Sequence, residues 1–219
     1  MDLSPDRIVI GLVAYVVLLF SLSFHESAHA WMALRMGDRT AHDEGRISLN
    51  PLVHIDPVGT VLLPLFQMLT GVPTLGWAKP TPVQAGNFRP GLFRKGQVYV
   101  AGAGPLSNLI LAVVCTALFA IGYHTRLLTP RSDDFGTMLL ITGVQLNIGL
   151  AIFNLIPIPP LDGSWVASWG LPRDLGERYD RLVEPVGGWL LLLLFIPLGR
   201  YVVGPLSGFV MQALFAIVL

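Results

Sequence analysis

From Ile8 to Phe24 the chain carries no charged side chain, and only then does it place His25, Glu26 and His29 in quick succession. A run of that kind leaves few folds open. Where water is absent, every backbone N–H and C=O must be satisfied within its own segment, so an apolar run of spanning length has to be helical. A bilayer takes about 20 such residues. Five stretches reach or approach that length: residues 8 to about 36, 98–123, 135–158, 186–198 and 201–219. A sixth, 58–70, is shorter and contains Pro64. Only 13% of the residues are charged, against about 25% in soluble domains. The sequence therefore predicts an all-α, multi-pass integral membrane protein. It has about five transmembrane helices plus one short or re-entrant apolar segment, in a single domain over residues 1–219.

The polar stretches between the runs, 37–57, 71–96, 124–134 and 159–185, are rich in Gly and Pro and read as loops. Only Gly199 and Arg200 separate the last two runs, which read either as a hairpin over about 184–219 or as one irregular unit. A formal net charge of zero argues against a nucleic-acid partner and leaves the lipid bilayer as the expected surroundings. The single cysteine, Cys115, lies inside an apolar run and reads as a small buried hydrophobe. The first run ends in Ala28-His29-Ala30, the pattern of a signal-peptide cleavage site. Asp2 and Asp6 against Arg7 deny it the positive leading region that such peptides have.

Ionisable groups near the middle of a membrane segment cost about 2.5–3.5 kcal/mol each even on lenient scales. Three within five residues need a purpose. On a helix His25 and His29 share a face and can hold one metal ion between them. Glu26 follows the first by one position, which sets its carboxylate beside the metal. This is the H-E-x-x-H arrangement of two ligands and a base for a metal-bound water. Catalytic zinc needs a third protein ligand and an open fourth position. The stretch FNLIPIPPLDGSW (residues 153–165) offers Asp162, where Pro157, Pro159 and Pro160 break the helix and Gly163 permits a sharp turn. Alone, that aspartate reads as an ordinary helix end at the water interface.

Together, FHESAHA and NLIPIPPLDG resemble the site-2 protease family, the zinc intramembrane metalloproteases. GRISLNP, GWAKPTPV and AGPLSN are also similar to its compact members, so the resemblance covers roughly residues 10–165. It implies that His25, His29 and Asp162 bind one Zn2+ per chain and that Glu26 is the catalytic base. It further implies that Asn154, eight residues before the aspartate, contacts substrate or the reacting carbonyl. The expected catalytic core is about 8–165, in the form without a PDZ or CBS domain. The activity implied is hydrolysis of peptide bonds in or near transmembrane segments of other proteins, which would be its substrates and partners. A non-proteolytic zinc-binding protein, such as a metal transporter or a helix-binding scaffold, is the other reading. A transporter would spread ionisable groups along a route through several spans, whereas here they converge and residues 98–121 hold none. Nothing in the sequence fixes an oligomeric state.

Lesser expectations attach to the remaining polar residues. His54 and Asp56 read as interfacial, Asn108 as part of close helix packing, and Asn147 as lining a cavity or bonding a neighbouring helix. Residues 45–51 alternate Ile47 and Leu49 with polar residues, which suits either an edge strand that adds an unwound substrate or a plain loop. For the first span and Asp162 to meet near one face, the segment 58–70 has to enter and leave by the same side. With that segment re-entrant and the last two runs a hairpin, ten Lys and Arg residues lie on one side and four on the other. The positive-inside rule makes the ten-charge side cytoplasmic, with the active site opening toward it, in the cell membrane if the source is prokaryotic.

Overall fold

The computed structural model describes residues 5–71, 76–129 and 134–218. The chain is mostly helical. The principal helices are α1 (Pro5–Met36), α2 (Leu63–Thr70), α3 (Phe93–His124), α4 (Phe135–Asn154), α5 (Asp162–Gly170), α6 (Arg173–Val183) and α7 (Gly187–Val218). Four of them, α1, α3, α4 and α7, are long and apolar enough to cross a membrane. Large apolar side chains such as Leu106, Ile110, Leu118, Leu192 and Phe209 are more than half exposed on these helices. Lipid, not water, is the solvent that accommodates such a surface.

α1, α3 and α4 pack on one another as the centre of the molecule. Ala112 of α3 meets Val144 and Ile148 of α4 in a fully buried cluster that Val210, Met211, Leu214 and Phe215 of α7 cover. Asp134 starts α4 as an N-cap, accepting from the Thr137 amide at 2.9 Å. Its pKa is lowered chiefly by that backbone hydrogen bond.

The last two apolar runs do not form a hairpin. Residues 187–198 and 204–218 join through a π-turn, Gly199–Val203, into one continuous 32-residue helix. A glycine stops a helix when it adopts the left-handed conformation. Gly199 instead has φ −57° and ψ −47° and simply continues the turn. Pro205 lacks the N–H that would bond the turn before it, and the π-turn lies in that turn, where the Gly204 amide bonds the Gly199 carbonyl instead. Arg200 thus lies within the fourth span, its guanidinium 5.6 Å over the Tyr201 ring. At its far end the Val218 carbonyl accepts from His124 Nε2 at 3.0 Å, so α7 finishes beside the end of α3.

The short apolar segment turns back on itself. A π-turn over Pro57–Leu62, capped by Asp56, leads into α2, which Gly71 closes in the left-handed conformation. Met68 rests against Gly11, toward the start of α1. The chain then returns. The Trp77 amide donates to the Gly59 carbonyl at 3.2 Å, and the Lys79 amide to the His54 carbonyl at 2.9 Å. The two flanks of the segment therefore meet, and its apolar helix, Pro57–Thr70, is shorter than the four that are long enough to cross a membrane.

Among the described residues there is no strand. Residues 46–50 are irregular because local partners take their polar groups. The Ser48 carbonyl accepts from the Ser27 hydroxyl and from His54 Nε2, and the Asn50 amide donates to Ser48 Oγ. Past α1, Asp38 is fully buried and gathers four donors: the Thr40 amide and hydroxyl, the Gln84 amide and Asn87 Nδ2. Burial alone would raise its pKa. The hydrogen bonds outweigh it and hold the carboxyl below its ordinary 3.8.

Two outcomes follow from this fold. In a Cys115→Ala background, cysteines at Arg39, Arg89 and Arg178 should label from one side of the membrane, and those at Leu127 and Ile217 from the other. Label at Ile217 from the Arg178 side would restore the hairpin. The depressed Asp38 pKa adds stability above the unfolded value, which is lost as pH falls through the folded one. Thermal unfolding in detergent should therefore find Asp38→Asn less stable than the parent above about pH 5. The gap should narrow below about pH 4.

Candidate metal centre

Helical spacing sets His25 and His29 on one face of α1, their ring centroids 4.7 Å apart and edge to face. Both are buried, and Ser23, two residues before His25, is sealed completely. Asp162 arrives from the far end of the chain. After α4 ends at Asn154, the prolines at 157, 159 and 160 prevent further helix, and short turns carry the chain to Leu161, whose amide donates to the Ile158 carbonyl at 3.0 Å. Gly163 lets α5 begin hard against the end of α4, since a Cβ there would meet the Leu155 backbone and lie 2.5 Å from the Ile156 oxygen. The Asp162 carboxylate then stands 3.1 Å from His25 Nε2 through Oδ2 and 3.4 Å from His29 Nε2 through Oδ1. Ligand atoms of the three residues lie within 4.8 Å of one another.

The outer nitrogens of the imidazoles fix what the inner ones can do. His29 Nδ1 lies 2.7 Å from the Val100 carbonyl, which can only accept, so Nδ1 carries the proton. His25 Nδ1 lies 2.7 Å from Asn108 Oδ1. The Asn108 amide nitrogen already donates to Asn147 Oδ1 at 2.8 Å and to the Ser21 carbonyl at 3.3 Å, so its oxygen faces the histidine as an acceptor. Asn147 in turn donates to Ser21 Oγ and to the Gly143 carbonyl, both at 2.9 Å. In the neutral rings both Nε2 atoms then present lone pairs toward a carboxylate. Asp162 Oδ2 is itself buried with no hydrogen-bond donor. Two lone pairs and a carboxylate oxygen in one buried space repel unless a cation joins them. Two nitrogens and one oxygen with an open fourth position suit Zn2+.

Gly104 makes the room. A Cβ there would overlap both imidazoles, 2.6 Å from His25 Nε2. Glu26, pointing to the side of the cluster, accepts from the Thr81 amide at 2.9 Å through Oε2, while the Thr81 hydroxyl donates to the Glu26 main-chain oxygen at 3.0 Å. Next to it, the Ser27 hydroxyl lies 3.4 Å from His54 Nε2. His54 is buried, and burial pushes its imidazole below the ordinary value. The structure thus brings His25, His29 and Asp162 together with Glu26 alongside. Asn154 closes α4 with its amide donating to the Leu150 carbonyl at 2.9 Å.

Asn108 is fully buried where the helices pack closely and in addition bonds His25 Nδ1, and Asn147 bonds across the helices behind it. Gly104 and Asn108 sit four apart in AGPLSN, on the same face of α3. An asparagine inside an apolar span was the available signal, because its amide needs a partner there. The partner, 83 residues away, had none.

The chain is similar to three groups of proteins. It is 38% identical over 202 residues to the Bacillus subtilis (strain 168) protein named "Putative zinc metalloprotease YwhC", covering 90% of this chain and 87% of that one. It is 29% identical over 179 residues to "Putative zinc metalloprotease Rip2" of Mycolicibacterium smegmatis, spanning 63% of that longer protein. A 70-residue stretch is 40% identical to "Putative zinc metalloprotease MJ0611" of Methanocaldococcus jannaschii. No protein-family model and no solved structure matches.

The geometry yields a graded outcome for metal binding. Gly104→Ala should abolish stoichiometric zinc. Asn108→Ala should weaken it by about 10–100-fold, as loss of a hydrogen bond behind a ligand typically does. Gly102→Ala, where a Cβ meets nothing within 4 Å, should bind zinc like the parent. Chelator competition followed by metal analysis distinguishes the three.

Proposed function

Because the chain belongs to the zinc metalloprotease family of these relatives, we propose that it is an intramembrane endopeptidase that hydrolyses peptide bonds in or near transmembrane segments of other membrane proteins. The observation that carries the reading is the convergence of His25 Nε2, His29 Nε2 and Asp162 in the interior of a molecule built from four membrane-length apolar helices. His25, His29 and Asp162 would hold one zinc ion, with Val100 and Asn108 keeping each imidazole in the right tautomer. When bound, zinc polarises a carbonyl and lowers the pKa of water from 15.7 toward about 7.

Glu26 is the base. It sits one position past a ligand, is not itself a ligand, and, with Oε2 bonded to the Thr81 amide, offers Oε1 to take a proton from the attacking water. It then returns that proton to the leaving nitrogen, as bond cleavage to an amine requires. The Asn154 amide contacts the substrate near the reacting carbonyl, where a neutral donor favours the developing oxyanion. The substrate must unwind locally, since a helical peptide bond is shielded by its own turn.

Charge supports an orientation. With a continuous α7, ten Lys and Arg residues fall on the side where α1 ends, three on the other, and Arg200 within the span. The positive-inside rule makes the ten-charge side cytoplasmic and the centre open toward it, with both ends of the described chain outside. The membrane would be the cell membrane if the source is prokaryotic.

Purified Glu26→Gln should keep full zinc yet cleave no transmembrane substrate, whereas His25→Ala, His29→Ala and Asp162→Ala should lose both metal and cleavage. Proteolysis persisting in Glu26→Gln would falsify the assignment of the base. Full zinc in Asp162→Ala would remove the aspartate from the ligand set.

A further inference from the structure

The returning arm of the re-entrant segment, residues 76–83, runs past Glu26 and grips it at two points. Its sequence explains how. In Pro80-Thr81-Pro82 the flanking residues have no N–H, so Thr81 carries the triplet's one amide donor. Each proline fixes its own φ near −65°, and each restricts the residue before it to extended backbone, so Lys79 and Thr81 are both held straight. In an extended chain alternate residues face one edge. Here the amides of Trp77, Lys79 and Thr81 all bond inward, to the Gly59 carbonyl, the His54 carbonyl and Glu26 Oε2. Arg46, itself buried, donates to the Lys79 carbonyl and ties down the middle of the arm.

We propose that Thr81 is a positioning residue for Glu26: its amide holds Oε2 and its hydroxyl holds the Glu26 backbone, so that the carboxylate meets the reacting water through Oε1 in one fixed pose. The proposal rests on Glu26 being the base. A glutamate side chain left free would lose most of its time to unproductive rotamers, and misplacement by about 1 Å can cost a reaction about a hundredfold. Thr81 touches neither the ligand atoms nor the substrate in this scheme, so its effect should fall on turnover and not on metal or substrate binding.

The test uses zinc-loaded protein in lipid nanodiscs with a single-span substrate. Thr81→Ser keeps amide and hydroxyl and should match the parent. Thr81→Val keeps the amide alone and should lower kcat about three- to tenfold, and Thr81→Pro should lower it about ten- to hundredfold, the range for a lost hydrogen bond to a charged group. KM and zinc content should stay within about twofold throughout. If Thr81→Pro does not fold, the fall in Thr81→Val and its rescue by Thr81→Ser carry the comparison. A rise in KM at constant kcat, or zinc loss in proportion to activity, would overturn the proposal in favour of a substrate-binding or merely structural arm. A second readout is independent of proteolysis. With 13C-carboxyl glutamate, the infrared difference between parent and Glu26→Gln isolates the Glu26 carboxylate band. The band should shift or broaden in Thr81→Pro and Thr81→Val and not in Thr81→Ser. An unmoved band would refute the clasp even if no substrate is ever cleaved, whereas a moved band with no cleavage would leave the clasp and remove the peptidase reading.

Discussion

Two imidazoles and a carboxylate whose ligand atoms lie within 4.8 Å in a buried space need a shared cation, a proton or a metal ion, and much of the structure can be understood as holding them within reach of one. α1 supplies both histidines at one helical spacing. α3 gives up a side chain at Gly104 so that the rings fit, and supplies the Val100 carbonyl and Asn108 amide that orient them. α4 ends in prolines that deliver Asp162 from the other end of the chain. The hydrogen bonds among these groups join the helices, and a cation shared by the two histidines and Asp162 would add to that, because charges in a low-dielectric interior interact far more strongly than in water.

How much of this could be read in advance follows from how local each signal is. His25, Glu26 and His29 are legible because an i, i+4 pair defines its own geometry in an apolar run. Asp162 is legible only jointly with them, since a helix stop with an aspartate has an ordinary explanation. The course of the 58–70 segment could be argued only from where Asp162 must arrive, and the structure adds that its flanks meet, the Trp77 amide bonding the Gly59 carbonyl. The continuous α7 was one of two courses the sequence left open for the last two runs, and the φ and ψ of Gly199 decide between them. The bond from Asn108 to His25 was hidden for a further reason. The partner lies in another helix, and sequence spacing carries no information across that distance. The strand sought over residues 45–51 failed because Ser27 and His54, neither of them in the segment, claim the Ser48 carbonyl.

The loop between α1 and α3 has a coherent logic of its own. Asp38 fastens its Gln84–Asn87 end to the foot of α1, while His54, Gly59 and Arg46 fasten the arm before it. A chain that leaves the first span thus makes a round trip beside that helix, touching Gly11 near one end and Glu26 near the other. The polar backbone of such a trip is tolerable in a membrane protein only because protein groups satisfy it. That is what the paired amides of Trp77, Lys79 and Thr81 do, and the two prolines reduce the number of amides that need partners.

The choice of neutral groups behind the histidines has an electrostatic reason. Zinc-bound histidines often donate to a carboxylate, which raises their basicity. Here the acceptors are a backbone carbonyl and an asparagine amide. A doubly charged cation set against Asp162 and Glu26 sums to zero with neutral imidazoles. A carboxylate in place of Asn108, which is fully buried, would leave a net negative charge in an apolar surrounding, where an uncompensated charge is most costly. The relay from His25 through Asn108 and Asn147 to Ser21 therefore does the orienting work of a carboxylate without its charge. It ties three spanning helices to the centre through hydrogen bonds that each helix can satisfy nowhere else in lipid.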